Sequence, residues 1–394
     1  MQRPAHILPV IIVSQFAGTS LWFAGNAILA DLQRDWGLGA QSVGYITSAV
    51  QLGFIVGTLV FAFLAVADRH SPRLVFFACS LIGAACNVAL LVVPQGLDWL
   101  LLLRFMTGFF LAGIYPVGMK IAAGWYEKGL GRALGYLVGA LVLGTAFPHL
   151  VRALGGELPW QQVLLGVSML ALLGGLAILL WVPDGPYLKR GAVFNPRALA
   201  VIFRSAKFRA SAFGYFGHMW ELYALWAFIP VWLLAYNETA AASLDVPLWS
   251  FVIIGIGFVG CAYGGVVSLK LGSARVATFQ LALSGLCCLL SPWFFASGGI
   301  LLLVFLLIWG ISVVGDSPQF SALNAANAPP DYVGSALTIA NSIGFLISVF
   351  SIQLLNAMLP LVGPQFLFWL LIPGPVFGLL SMRSLLQTQN QKPA

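Results

Sequence analysis

The chain has 394 residues, of which 60% are hydrophobic and only 8% charged, with a formal net charge of +7. A soluble domain carries about a quarter charged residues, so the composition excludes one and describes a polytopic membrane protein. The five cysteines all fall in apolar stretches, which argues against a disulfide framework or a metal site and makes them packing residues.

A helix needs about 20 apolar residues to cross a hydrocarbon core. Windows of that kind predict twelve crossings, near 7–30, 43–67, 74–94, 99–124, 132–151, 160–182, 210–234, 248–269, 276–296, 299–324, 334–357 and 365–383. The first lacks a small-residue cleavage site before the next span and reads as a permanent crossing. Lysine and arginine concentrate on one side of this arrangement, which predicts both termini in the cytoplasm. The positive charge then reflects topology and contact with anionic lipid, and no nucleic acid is expected as a partner.

Between the second and third crossings, "LAVADRHSPR" from Leu64 sets Asp68, Arg69 and Arg73 in a short turn, where an acid can pair with a base or face a helix N-terminus. In the fourth crossing Arg104 opens "RFMTGFFLAG". Its planar fork suits an anionic substrate or a neighbouring acid, and snorkelling to the interface is the plainer alternative. Lys120 and His149 read as interfacial. The only long polar connection, 183–209, carries Lys189, Arg190, Arg197, Arg204, Lys207 and Arg209 and separates a first half, 1–182, from a second, 210–394. Its "NPRALAVIFRSAKFRA" portion reads either as a basic amphipathic helix on the leaflet or as a solvated linker.

Of the 12 acids, only Glu221 in the seventh crossing and Asp316 in the tenth lie near mid-membrane. A central charge costs roughly 2.5 to 3.5 kcal/mol even on lenient insertion scales, so such groups face a cavity or a partner. His218 and Glu221 stand three apart on one helix face and can interact. Glu221 is read as the principal proton-coupling site with His218 modulating it, or else as a neutral hydrogen-bonded group that packs the bundle. Asp316 either holds a proton, binds a cationic group, pairs with Arg104, or caps the bent backbone before Pro318. Pro116 and Pro318 lack an amide hydrogen, so helices bend there and the carbonyls of Ala112 and Val314 are freed to face a cavity. Trp22, Asn26, Tyr115, Trp220, Tyr223 and Gln319 are candidate substrate contacts. The pairs Gly53 with Gly57, Gly135 with Gly139 and Gly260 with Gly264 predict close helix approach.

An internal repeat links the halves: Gly108, Gly113 and Pro116 align with Gly310, Gly315 and Pro318 at an offset of 202 residues. The Asp68 turn resembles the signature turn of the major facilitator superfamily, with Leu64, Ser71 and Pro72 departing from the pattern. A second copy supplies Gly265, Lys270 and Gly272, with Leu269 in place of the acid. Arg104, Thr107 and Gly108 resemble the superfamily's fourth-helix motif. The resemblance covers nearly the whole chain. It implies an all-α membrane fold of 12 transmembrane helices in two pseudo-symmetric six-helix halves, with helices 1, 4, 7 and 10 around a central cavity. It also implies alternating access, and makes Asp68 a gate latch unless it is ordinary topogenic charge.

No Walker loop, hydrolase elbow, zinc spacing or dinucleotide fingerprint is present, so the sequence predicts neither an enzyme nor a cofactor. An ion gradient is the natural driver. The reading is a secondary active transporter of a small organic solute, coupled to protons. Multidrug/proton antiport is the nearest alternative, weakened because "GYLVGALVLGTAFP" parts Gly144 from Pro148. Uptake of an inorganic anion such as nitrate or cyanate also stays open, and a non-transporting membrane sensor or a membrane-embedded enzyme represents a different class. The expected setting is a monomer in the bacterial inner membrane, with solute, protons and lipids as its partners.

Overall fold

In lipid each backbone N–H and C=O must find a partner within the protein, and long apolar segments meet that demand as helices. The computed structural model describes residues 4–126, 130–156, 158–188 and 194–390. Lys189 and Arg190 lie outside them. Among the described residues, 11 helices are long and apolar enough to cross a membrane, and Ile7–Thr19 adds a shorter apolar one.

The helices run α1 (Ile7–Thr19), α2 (Ala24–Ala27), α3 (Leu29–Trp36), α4 (Ser42–Phe63), α5 (Val66–Arg69), α6 (Pro72–Ala89), α7 (Leu97–Leu111), α8 (Tyr115–Trp125), α9 (Leu130–Gly155) and α10 (Trp160–Trp181). They continue as α11 (Ala198–Ile202), α12 (Ala206–Ala240), α13 (Val246–Gly255), α14 (Gly257–Leu271), α15 (Ser273–Phe295), α16 (Gly299–Gly315), α17 (Ser317–Asn327), α18 (Val333–Met358) and α19 (Pro373–Asn390). Short 3-10 turns at Pro330–Tyr332 and Pro364–Leu371 lead into the last two. The chain forms two compact units, Met1–Val193 with Asp245–Gly255, and Phe194–Leu244 with Ile256–Ala394.

In the first unit α4 lies along α7, α6 against α10 and α7, and α1 against α9 and α10. Glycine sets the closest of these crossings. A methyl group built on Gly53 would overlap the Phe105 carbonyl oxygen, and one on Gly108 would overlap that of Val50, so bare backbone faces bare backbone from both sides. Gly135 has nothing within 4 Å of such a methyl and makes no close approach. α13 packs along α9 in this unit, with Gly255 beside Leu143 and Ala146.

The predicted first crossing is not continuous, because the helix ends at Thr19 and resumes in α2 and α3. At the far end Asp31 pins α3 to α9. Arg152 grips both Asp31 carboxylate oxygens, Nε to Oδ2 at 2.9 Å and a terminal nitrogen to Oδ1 at 3.0 Å, while Arg34 reaches Oδ1 at 3.0 Å. Trp160 Nε1 on α10 donates to Asp35 Oδ2 at 3.0 Å. The Arg34 guanidinium beside Asp35 holds that exposed carboxyl below its ordinary range.

The turn into α5 holds Ala65 at φ 50°, ψ 40°, a left-handed conformation that opposes its Cβ. Ala65→Gly is expected to raise stability by about 0.5 to 1 kcal/mol, the relief of strain exceeding the added unfolded-chain entropy. A thermal midpoint in detergent equal to or below that of the parent would contradict this.

In the second unit α12 packs on α19, α18 and α17, while α15 packs on α16 and α14 on α16. Gly260 on α14 abuts the Ile311 carbonyl of α16 as Gly53 abuts Phe105. Of the basic segment 195–210, only the five residues of α11 form a separate helix, and the rest turns into the start of α12, so a long amphipathic helix does not form. The internal repeat is visible in the backbone. α7 gives way to α8 across Ala112–Ile114, and α16 gives way to α17 at Asp316, each new helix starting with its proline in the first turn. A side chain from the corresponding neighbour fills each glycine notch, Cys79 of α6 against Gly113 and Gln280 of α15 against Gly315.

Candidate functional site

Among the described residues, the second unit buries one histidine and two acids: His218, Glu221 and Asp316, each 1% exposed. α12 carries the first two and the α16–α17 junction the third. The sequence spacing allowed His218 and Glu221 to pair, but the structure gives each its own partners. His218 Nδ1 lies 2.8 Å from Asp316 Oδ1, and its Nε2 has no hydrogen-bond partner. The imidazole clusters with Tyr215 and Phe320, ring centroids 5.9 and 5.8 Å away, and those two rings lie 6.4 Å from each other.

Glu221 turns toward α15 and α16. Its Oε1 accepts from the Ser284 hydroxyl, from Trp309 Nε1 at 2.7 Å and from the Cys288 thiol at 3.4 Å. None of these three donors was singled out from the sequence. Serine and cysteine are common in membrane helices, and only the aromatic N–H just before Gly310 of the repeat offered a signal. The Val314 carbonyl, expected to face a cavity, accepts from the Cys261 thiol of α14 at 3.4 Å and from the Asp316 backbone N–H.

In the first unit Arg104 is fully buried. One terminal nitrogen donates to the carbonyls of Leu21 at 2.9 Å and Trp22 at 2.6 Å, the other to Asn87 Oδ1 at 3.2 Å. Those carbonyls belong to the break between α1 and α2, where the helical ladder is interrupted. Gly25 brings bare backbone against the guanidinium, since a methyl there would sit 3.1 Å from Nε. Asn87 in turn donates to Ser168 Oγ at 2.9 Å. Arg104 therefore does not snorkel, and Asn87 is a buried partner that the sequence reading passed over.

The remaining candidates are distributed as follows. Asn26 donates to Thr47 Oγ1 at 2.7 Å, and Trp22 packs on Phe54 with centroids 4.9 Å apart. Tyr115 is partly exposed where α8 begins, beside Pro116. Trp220 Nε1 donates to the Leu370 carbonyl at 3.1 Å, while Tyr223 packs on Trp226 and Phe345. Gln319 is buried one residue after Pro318. In the signature turn Asp68 pairs with Lys120 at 2.7 Å, Arg69 is exposed, and Arg73 reaches the Leu179 carbonyl at 3.5 Å. Gly265 stands open, Lys270 is exposed, and Gly272 takes φ 84° at the entry to α15. His149, expected at the interface, is 2% exposed and buried in α9.

Comparison with known proteins agrees with this architecture. The family model for the Major Facilitator Superfamily matches residues 10–352. The chain is 28% identical over 193 residues to the "Uncharacterized transporter YgaY" of Escherichia coli O157:H7, covering 47% of this chain and 48% of that protein. It is 26% identical over 159 residues to the "4-hydroxybenzoate transporter PcaK" of Pseudomonas putida, covering 39% of this chain and 34% of that protein. The matches thus span half or less of these relatives' own length. Among solved structures, that of a point mutant of the nucleoside transporter NupG superposes with a TM-score of 0.71 at 14% identity, covering 97% of this chain and 99% of that one, a likeness of fold.

Proposed function

The chain belongs to the Major Facilitator Superfamily, and on that premise we propose that it is a secondary active transporter moving a small organic solute by alternating access, driven by protons. The observation that carries the coupling is the burial of His218, Glu221 and Asp316 within one unit, each 1% exposed. Ionisable groups kept out of water in a membrane bundle need a use that outweighs their cost of burial, and reversible protonation is one. Alternating access moves such a group from contact with one aqueous phase to the other. Among solutes, the 4-hydroxybenzoate named for the Pseudomonas putida relative makes a small organic acid the first class to examine. The proposed setting is the bacterial inner membrane with both termini cytoplasmic.

The test is accumulation of labelled 4-hydroxybenzoate and other small carboxylates, beside a neutral nucleoside, in liposomes containing the purified protein under an imposed pH gradient. Accumulation of at least one solute is expected to fall by about tenfold or more when a protonophore collapses the gradient, an effect of about 1.4 kcal/mol or more on the coupled equilibrium. Flux that is indifferent to the gradient would overturn the coupling, and absence of flux for every solute class would overturn transport.

A further inference from the structure

Resting on the proton-driven reading, we infer that the transported proton resides on the His218–Asp316 pair, and that Glu221 is a fixed anchor tying α12 to α15 and α16. The two carboxylates are held in very different ways.

Glu221 Oε1 is the common acceptor for donors from two other helices, the Ser284 hydroxyl and Cys288 thiol of α15 and Trp309 Nε1 of α16. A proton taken up at either oxygen would turn Oε1 into a weaker, uncharged acceptor for all three donors. The Trp309 indole is itself fully buried and packed against Phe305 and Phe368, so it cannot turn away. A carboxylate held this way fixes helix positions and is poorly suited to gaining and losing a proton each cycle.

The His218–Asp316 pair has the opposite character. One base faces another across 2.8 Å, so a single proton can sit on nitrogen or on oxygen with the contact kept. The imidazole retains an unpartnered Nε2 through which a second proton can enter or leave. Asp316 also lies where α16 ends and α17 begins, with Pro318 in the first turn, so the backbone carrying it has a joint. The titratable groups near the pair are few. α12 contributes Tyr215 and Glu221 besides His218, α14 contributes Cys261, and α15 contributes Cys287 and Cys288, whereas α18 has no ionisable residue. Within the second unit no lysine or arginine is buried among the described residues. The step balances simply: an O–H or N–H bond forms as hydronium on one side gives up its proton, and it breaks as water on the other side accepts one.

The test reads the proton directly and needs no substrate. Protein reconstituted in lipid is stepped from alkaline to acidic pH, and the carbonyl stretch of newly protonated carboxylic acid is recorded by attenuated-total-reflection infrared spectroscopy. Subtracting each variant's spectrum from that of the parent cancels the surface acids. Asp316→Asn is expected to remove a buried-acid band that Glu221→Gln retains, and His218→Gln should keep the band while shifting its midpoint by at least tenfold in proton affinity. A band lost in Glu221→Gln and kept in Asp316→Asn would place the proton on the anchor and overturn the assignment, as would a spectrum unchanged by both. Should Asp316→Asn fail to give a monodisperse protein, the His218→Gln midpoint decides, an unmoved midpoint counting against the pair. Gradient-driven flux with the band on Glu221 defeats this assignment alone, whereas flux indifferent to pH defeats the proton-driven reading itself.

Discussion

Arg104→Met is expected to destabilise the protein by about 1 to 3 kcal/mol, the usual cost of leaving buried acceptors without their donor. Two effects oppose each other. Removing a buried cation relieves its desolvation, but it also strips donors from the Leu21 and Trp22 carbonyls and from Asn87 Oδ1. Hydrogen bonds from a charged donor contribute about 1.5 to 3 kcal/mol each, and all three acceptors lie in the interior of the unit, so the loss should exceed the relief. Arg104→Lys tests the same geometry, because a compact ammonium cannot span two successive carbonyls and an amide as a planar fork does. Its stability should fall between those of methionine and the parent. Thermal unfolding in detergent provides the comparison, and a methionine variant as stable as the parent would show that desolvation dominates.

Gly108→Val should be similarly damaging, since inserting bulk into a packed crossing costs about 1 to 3 kcal/mol and occasionally more. Here the obstacle is the Val50 carbonyl of α4, and Gly53→Val would meet the Phe105 carbonyl of α7 in the same way. Backbone cannot rotate aside as a side chain can, so the helices must part and every contact along the seam weakens. Gly260→Val should behave alike against Ile311 in the second unit. Gly135→Ala is the control: nothing lies within 4 Å of the added carbon, and replacing a mid-helix glycine should stabilise by up to about 1 kcal/mol. Monodispersity after extraction and the thermal midpoint would show the contrast. Equal behaviour of Gly108→Val and Gly135→Ala would remove the basis for the backbone seam.

Much of the fold could be read from the sequence because lipid imposes a simple rule, a run of about 20 apolar residues for each crossing. The first crossing shows where that rule stops. "TSLWFAGNA" is apolar enough to continue a helix, yet the backbone breaks within it, stabilised by Arg104 from about 80 residues further along the chain. The glycine and proline repeat anticipated where α7 and α16 end, since a missing amide hydrogen has a local effect. Side-chain partners were harder to foresee. His218 and Glu221 shared a face by spacing, but neighbouring helices decide where each one points, and Trp309 lies 88 residues from the glutamate it serves. Gly135 opens a glycine pair with the same spacing as Gly53 with Gly57, and only the approach of a second helix distinguishes Gly135 from Gly53.

The clasp of Arg152 on Asp31 has a consequence for biosynthesis. Its two residues are separated by 121 positions, so a ribosome adding about 5 to 20 residues per second needs about 6 to 24 s between making one and making the other. During that interval Asp31 has only the neighbouring Arg34 and Arg152 does not yet exist, which leaves the end of the first crossing without its anchor to α9 while the intervening helices enter the bilayer. The nascent chain can therefore clasp its first crossing to its fifth only once residue 152 has been made, and a chain stalled before that point would leave the α3 end without this anchor.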